Sequence, residues 1–447
     1  MVKSRTSKAY AVLLVLSMAF LFSMFYRYCM AVLTPELLRD FSLTSITMGS
    51  LSAAYFYSYG LCQIPVGLLA DQMGVEVIIL CALSLTTIGS FVFSTANTLR
   101  QLFVGRVLIG LGAGGLYTPA LRKLAGCFGK DHLSTAIGIM NAVGCAGGLL
   151  ATVPLTMLIE VSSWRFVFLT VSFLILVTAV FCGVVLYRFP SLPTVPTTGE
   201  SRQNTEILED ISMRSGNVSA GNPLEQIRRS ISSRPVRVLG VTILSLNGVA
   251  VAFQGLWGIP FLVHVGGLSQ TQAGLALMSV SVGTVLGGPL FGIISDRADA
   301  ERFRMLALAL AAYLLIWLCA LNPIPLSVSV WIVLCFIMGI LTSGIAVHIF
   351  STCQRITCTT GAATALSVVN TMGFLGVSLC QPIVGFIVEV VSSRWGIGEP
   401  LAYRLAFYVV IISLVVSLWF VMRMSDSDES VTSGLKKCHD KPSKKTS

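Results

Sequence analysis

Charge is the scarcest thing in this chain. Only 11% of its 447 residues are Asp, Glu, Lys or Arg, and 55% are hydrophobic. A soluble domain carries about 25% charged residues. The mean hydropathy of +0.83 is more than any water-soluble enzyme or nucleic-acid binder needs, and far too high for a disordered chain. Paired cysteines are lacking as well. The twelve Cys are scattered singly through apolar stretches with no C-x-x-C pair, so they read as small packing residues and offer no metal site. Gly110-x-Gly112-x-Gly114 lies inside an apolar run and follows no strand, which excludes a phosphate loop. No hydrolytic triad, cofactor or metal is expected, and nucleic acid is not an expected partner. Acids are missing from the apolar interior: all 20 Asp and Glu fall at run ends, in loops or in the tail. A polytopic helical membrane protein remains.

What is present fits that class. A spanning helix needs roughly 20 apolar residues, and twelve runs qualify, at about 9–33, 47–70, 76–96, 100–121, 133–158, 164–187, 237–263, 271–295, 304–321, 327–350, 361–388 and 401–423. The expected organisation is an all-α membrane protein with an N-terminal six-helix bundle (1–188), a polar linker (189–236), a C-terminal six-helix bundle (237–424) and a charged tail (425–447). The opening Lys3, Arg5 and Lys8 imitate a signal peptide, but the apolar run after them is too long and shows no clear cleavage site. Most Lys and Arg of the net +10 chain fall on the membrane side that holds both termini. By the positive-inside rule that side is cytosolic, in a cytoplasmic (inner) or organelle membrane. The sequon at Asn217 falls in the same cytosolic linker, so glycosylation there is not expected.

The two halves repeat each other. At an offset of 225 (260 − 35), Pro35 aligns with Pro260, Gly49 with Gly274, Gly67 with Gly292 and Asp71 with Asp296. At 229 (389 − 160), Asn141 aligns with Asn370, Gly144 with Gly373, Gly147 with Gly376 and Glu160 with Glu389. Parallel repeats joined by a cytosolic linker are the plan of rocking secondary transporters, with the solute site at the midplane between the halves.

Three motifs carry a family resemblance. They are Gly67-Leu-Leu-Ala-Asp71-Gln-Met-Gly74 after run two, Gly292-Ile-Ile-Ser-Asp296-Arg297 after run eight, and Leu102-x-x-x-Arg106-x-x-x-Gly110-x-Gly112-x-Gly114-Gly115 in run four. With them the chain resembles the major facilitator superfamily over its whole spanning length. Within it, Tyr26-Arg27-Tyr28 followed by Pro35-Glu36-Leu37 is similar to organic-anion symporters and to relatives of the lysosomal dipeptide transporter. The resemblance implies twelve helices, alternating access, and a gating role for Gly67, Asp71, Arg106, Gly292, Asp296 and Arg297. One departure stands out: the family's basic positions around its first loop motif are Gln72, Val75 and Glu76 here, so Asp71 lacks its usual local cation.

Arg27 and Arg106 are the only charges in the expected spanning interior, where a charge is costly and usually functional. A guanidinium holds a carboxylate or phosphate through a two-pronged pair, so Arg27 is the candidate anchor for an anionic solute; its rival role is a brace stacked on aromatic rings. Polar side chains recurring at helical spacing mark a wet cavity: Tyr55, Tyr59 and Gln63; Asn247, Gln254 and Trp257; Asn370, Phe374, Ser378 and Gln381. Interhelical hydrogen bonding is the competing use of these groups. The candidate solute-binding set is Arg27, Tyr28, Tyr59, Asn141, Asn247, Gln254, Trp257 and Asn370. The sequence points to a transporter of a small anionic or zwitterionic organic solute, with a coupling ion left open. A multidrug efflux permease and a transporter-like solute sensor are the alternatives. Without a buried acid, facilitated transport or exchange is favoured over proton symport, because Arg does not titrate.

Overall fold

The computed structural model describes residues 2–128, 130–188, 228, 230–297, 302–357, 362–396 and 398–424. Most of the expected linker (189–236) and all of the expected tail (425–447) lie outside the described residues.

Among the described residues, twelve helical rods run back and forth. Span 1 is Val2–Tyr28 continued by Met30–Phe41, span 2 Ser45–Met73, span 3 Val75–Ser94, span 4 Leu99–Gly114 with Tyr117–Cys127, span 5 Lys130–Leu150 with Val153–Val161, and span 6 Trp164–Arg188. Span 7 is Arg234–Ala252, a π-turn Phe253–Trp257 and Gly258–His264; span 8 is Gln270–Arg297, span 9 Arg302–Leu321, span 10 Val328–Ile356, span 11 Ala362–Glu389 and span 12 Glu399–Met422. Among the described residues, ten helices and the bent pair of span 5 are long and apolar enough to cross a membrane. Span 2 has the length, at 29 residues, but its Tyr and Ser stripe dilutes its apolarity. No strand occurs among the described residues.

Prolines account for two irregularities. Span 5 bends by 42° at its break, where Pro154 has no N–H for the carbonyl of Leu150. In span 7 Pro260 cannot bond the carbonyl of Leu256, and the helix widens into the π-turn just before it. Span 11, by contrast, stays one α-helix through Pro382. Span 1 outruns its expected end near residue 33 and stops only at Ser42, which takes a left-handed conformation at φ 48.

Glycines bring backbones together inside each half. A Cβ on Gly110 would stand 2.4 Å from the Tyr55 carbonyl, and one on Gly112 2.4 Å from that of Ala82. The span 4 glycine motif thus lets spans 2 and 3 lie directly against span 4. The repeat-related Gly147 and Gly376 do the same: each Cβ would fall 2.0 Å from a carbonyl, of Leu21 and Leu244 respectively. These two glycines seat span 5 on span 1 and span 11 on span 7.

Spans 1–6 pack on one another, as do spans 7–12, and the groups meet through spans 2 and 11, spans 5 and 8, and the end of span 1 against span 7. The contacts between the groups that involve span 2 run from Ser45 and Gly49 to Tyr59, facing Glu389, Gln381 and Phe374 of span 11. Those between spans 5 and 8 join Glu160 to Thr271 and Val153 and Thr156 to Gly274. All of these lie between mid-span and the face away from the chain termini.

Candidate solute site and gates

Arg27 is positioned by its neighbour. The Tyr26 side chain is fully buried, and its hydroxyl pairs with Ser90, which pairs in turn with Ser172. That chain of hydroxyls ties span 1 to spans 3 and 6. The Tyr26 carbonyl accepts a hydrogen bond of 3.1 Å from Arg106 Nη1 on span 4. With residue 26 fixed at both ends, the next side chain, about one hundred degrees around the helix, is aimed at a different flank.

There the Arg27 guanidinium carbon lies 5.2 Å from the Tyr59 ring and 5.4 Å from the Phe374 ring. These two rings come from different halves and stack on each other with centroids 4.7 Å apart. Arg27 is partly exposed, yet its Nε is buried without a hydrogen-bond partner. Among the described residues no salt bridge to Arg27 is formed, and no Asp or Glu is buried. The guanidinium therefore combines cation–π contact with an unspent Nε donor, an arrangement that suits a carboxylate.

The other candidates divide into two groups. Tyr28 packs toward Gly148, and Asn141 pairs with Tyr117, a partly buried neighbour whose environment also includes Tyr59 and Arg27. Arg27, Tyr28, Tyr59 and Asn141 are thus one neighbourhood on the N-terminal half. On the other half Asn370 is one turn from Phe374, and Asn247 reaches the neighbouring Gly373. Gln254 is buried and gives its amide to Ser281 on span 8 at 3.0 Å. Trp257 is fully buried and donates to the Gln381 carbonyl at 3.0 Å, beside Tyr403. His348 of span 10 is buried and bonds the Arg302 carbonyl at 2.9 Å.

Arg106 is 1% exposed. Besides Tyr26 it lies over the Tyr55 ring at 4.9 Å, and its Nε and Nη2 are buried without partners. Gly67 and Asp71 fall near the end of span 2, and Asp296 and Arg297 end span 8; the side chains there lie outside the described ones. Gly292 is partly exposed with open space where a Cβ would stand. Glu76, the departure from the loop motif, meets Lys123 of span 4 at 2.6 Å, and that lysine is almost wholly buried. Three participants were not singled out by the sequence: Tyr117, Lys123 and the serine pair behind Tyr26. Spacing shows which side chains share a face but not what stands opposite.

The helices, their pairing and the closed face define a polytopic transporter architecture. Residues 15–381 match the Major Facilitator Superfamily model, and the chain belongs to that family of transport proteins, which are not enzymes. The chain is 24% identical to the probable galactarate/D-glucarate transporter of Escherichia coli, over 66% of this chain and 67% of that protein. It is 24% identical to the gallate transporter of Pseudomonas putida, over 88% of each. The matches span about two thirds of several such relatives. Among solved structures, a bacterial homologue of the human lysosomal transporter Spinster, inward-facing and unoccupied, superimposes with a TM-score of 0.72 at 18% identity, covering 96% of this chain and 98% of that one.

Proposed function

We propose that this protein moves a small organic anion across a membrane by alternating access, with Arg27 as the anchor for the solute's carboxylate. The single observation behind the reading is Arg27 itself: a partly exposed guanidinium between the halves, with a buried Nε that no protein group satisfies and no acid in contact. A guanidinium in that state is completed by a planar anion. The rings of Tyr59 and Phe374 favour a flat solute, and the gallate and glucarate transporters among its relatives carry carboxylates. The described contacts between the halves lie toward the face away from the termini, which, with both termini on the cytosolic side, supports an inward-facing state. The absence of a buried acid among the described residues favours uniport or exchange over proton symport, and it disfavours efflux of cationic drugs.

Uptake of D-glucarate and of gallate into proteoliposomes tests the reading. Wild-type protein takes up at least one of them saturably. Arg27→Ala and Arg27→Lys lower that uptake by about 100-fold, the worth of a charge-assisted two-pronged pair, without changing the melting temperature. Wild-type uptake by Arg27→Ala overturns the anchor. Saturable binding without flux favours a solute sensor instead.

A further inference from the structure

Two glutamates at the closed face are related by the internal repeat, and each crosses to the other half. Glu389, at the end of span 11, accepts a hydrogen bond of 2.8 Å from the backbone N–H of Ser45, the first residue of span 2. Glu160, 229 positions earlier (389 − 160) at the end of span 5, accepts one of 3.2 Å from the hydroxyl of Thr271, in the first turn of span 8. Ser45 and Gln270, the first residues of those two spans, are themselves related by the 225 offset (270 − 45). In both places a carboxylate meets the positive end of a helix from the opposite half, where the orphan N–H groups and the helix dipole favour negative charge.

The seams beneath the two glutamates are not equal. Where spans 2 and 11 meet, a Cβ on Gly49 would stand 2.6 Å from the Gln381 carbonyl and one on Gly385 2.3 Å from that of Ser45, so the backbones are in direct contact. Where spans 5 and 8 meet, a Cβ on Gly274 would find its nearest atom at 3.5 Å. A small cleft of about 50 Å³ lies beside that second seam, with Glu36, Thr156, Glu160 and Gln270 on its walls. Span 5 is also the one bent at Pro154, just behind the contact.

We infer that Glu160 is the latch that holds this face shut at the seam of spans 5 and 8, where the face opens, and that its repeat-related partner Glu389 ties down the hinge, where spans 2 and 11 stay in contact. The inference assumes alternating access but not the identity of the solute.

Hydrogen–deuterium exchange on the full-length protein in lipid nanodiscs tests it without any solute, so its outcome is separable from that of the Arg27 experiment. Glu160→Ala raises exchange on the order of fivefold on both sides of its seam, at 270–276 and at 153–161. Glu389→Ala gives a smaller rise, because the backbone contact at Gly49 persists. Glu160→Gln, whose amide oxygen still accepts from Thr271, returns exchange most of the way to wild type. Exchange confined to the first turn of span 8 means only a lost helix cap and overturns the latch. An equal rise over all spans means general loosening and overturns it too. A larger rise at spans 2 and 11 than at spans 5 and 8 overturns the order of opening.

Discussion

Arg106 holds the carbonyl of Tyr26 at 3.1 Å, so one buried guanidinium fixes the residue immediately before the other. The two arginines that stand out in the sequence have divided labour. Arg106, at 1% exposure, is spent on the backbone of span 1, and Arg27 is aimed between the halves. Replacing Arg106 by Lys removes the planar fork and the stacking on Tyr55 while keeping the charge. The expected cost is about 1–3 kcal/mol of stability, with uptake reduced and the solute preference unchanged. Thermal melting and competition for uptake by other carboxylates check this together. A changed preference with unchanged stability would place Arg106 in contact with solute.

Phe374 brings the C-terminal half to Arg27. Its ring stacks on Tyr59 at 4.7 Å and flanks the guanidinium. Phe374→Ala loses a ring pair and a cation–π contact, each worth about 0.5–1.5 kcal/mol. Phe374→Tyr keeps both. The Ala variant is expected to lower uptake severalfold and to raise hydrogen exchange at 55–60 and 370–377, with the Tyr variant near wild type. Equal behaviour of the two variants would show that the Phe374 ring contributes nothing at Arg27.

Glu76 stands where the family's loop motif carries a base, and Lys123 answers it from span 4 at 2.6 Å. The lysine side chain is 1% exposed and that of the glutamate 23%. Glu76→Gln therefore leaves a buried ammonium short of its carboxylate, a loss discounted to about 1–3 kcal/mol because one partner reaches solvent. The double exchange Glu76→Lys with Lys123→Glu is expected to recover part of that stability in a thermal melt, since the pair lies within one half and is not shared with the opposite one.

Asp40 sits beyond the spanning part of span 1 and ties that end to span 6. It accepts from the Trp164 indole at 2.9 Å and from Arg165 at 3.0 Å. The indole hydrogen bond first, and then Arg165, hold its carboxyl below the ordinary carboxylate value. A lowered acid contributes stability that is complete above its unfolded pKa, about 3.9, and is lost as the pH falls through the folded one. Asp40→Asn is expected to melt below wild type at neutral pH, with the two curves converging as the pH drops through and below that range. A gap that stays constant with pH would assign the effect to packing instead.

The sequence made the architecture legible because the bilayer imposes it: apolar length, charge placement and the repeat each report it independently. Arg27 was legible for the same reason, as a costly charge that must have a use. What stood opposite each polar side chain was not. Gln254 and Trp257 share a helical face with Asn247, but Gln254 turns to Ser281 and Trp257 to the Gln381 carbonyl. The π-turn before Pro260 rotates the register between them. Proline positions were visible, but their effects depended on surroundings. Pro154 breaks its span, whereas Pro382 lies within an unbroken helix that packs against Gly49. The contacts that close one face belong to one conformation, whereas a sequence specifies every state of the cycle at once.

That dependence on state gives the sharpest contrast between two positions the repeat makes equivalent. Gly49 and Gly274 align at the 225 offset, yet an added methyl meets different surroundings. At Gly49 it would stand 2.6 Å from the Gln381 carbonyl and 2.9 Å from the Pro382 Cα, both backbone atoms that cannot rotate away. At Gly274 the nearest atoms are the Thr156 hydroxyl at 3.5 Å and a Val153 methyl at 3.6 Å, ordinary van der Waals separations. Alanine suits a helix interior better than glycine by about 1 kcal/mol. Gly274→Ala should therefore keep or raise stability and leave uptake within about twofold of wild type. At Gly49 that gain is opposed by an overpacking cost of about 1–3 kcal/mol, paid wherever spans 2 and 11 touch and so, at a hinge, in the open and closed states alike. Gly49→Ala is thus expected to strain the hinge and lower the melting temperature without favouring either face. Hydrogen exchange should rise at 45–50 and 380–386, and uptake should fall because the hinge contact is strained. Similar effects of the two alanines on exchange would show that the two seams are equally tight, contrary to the unequal packing seen here.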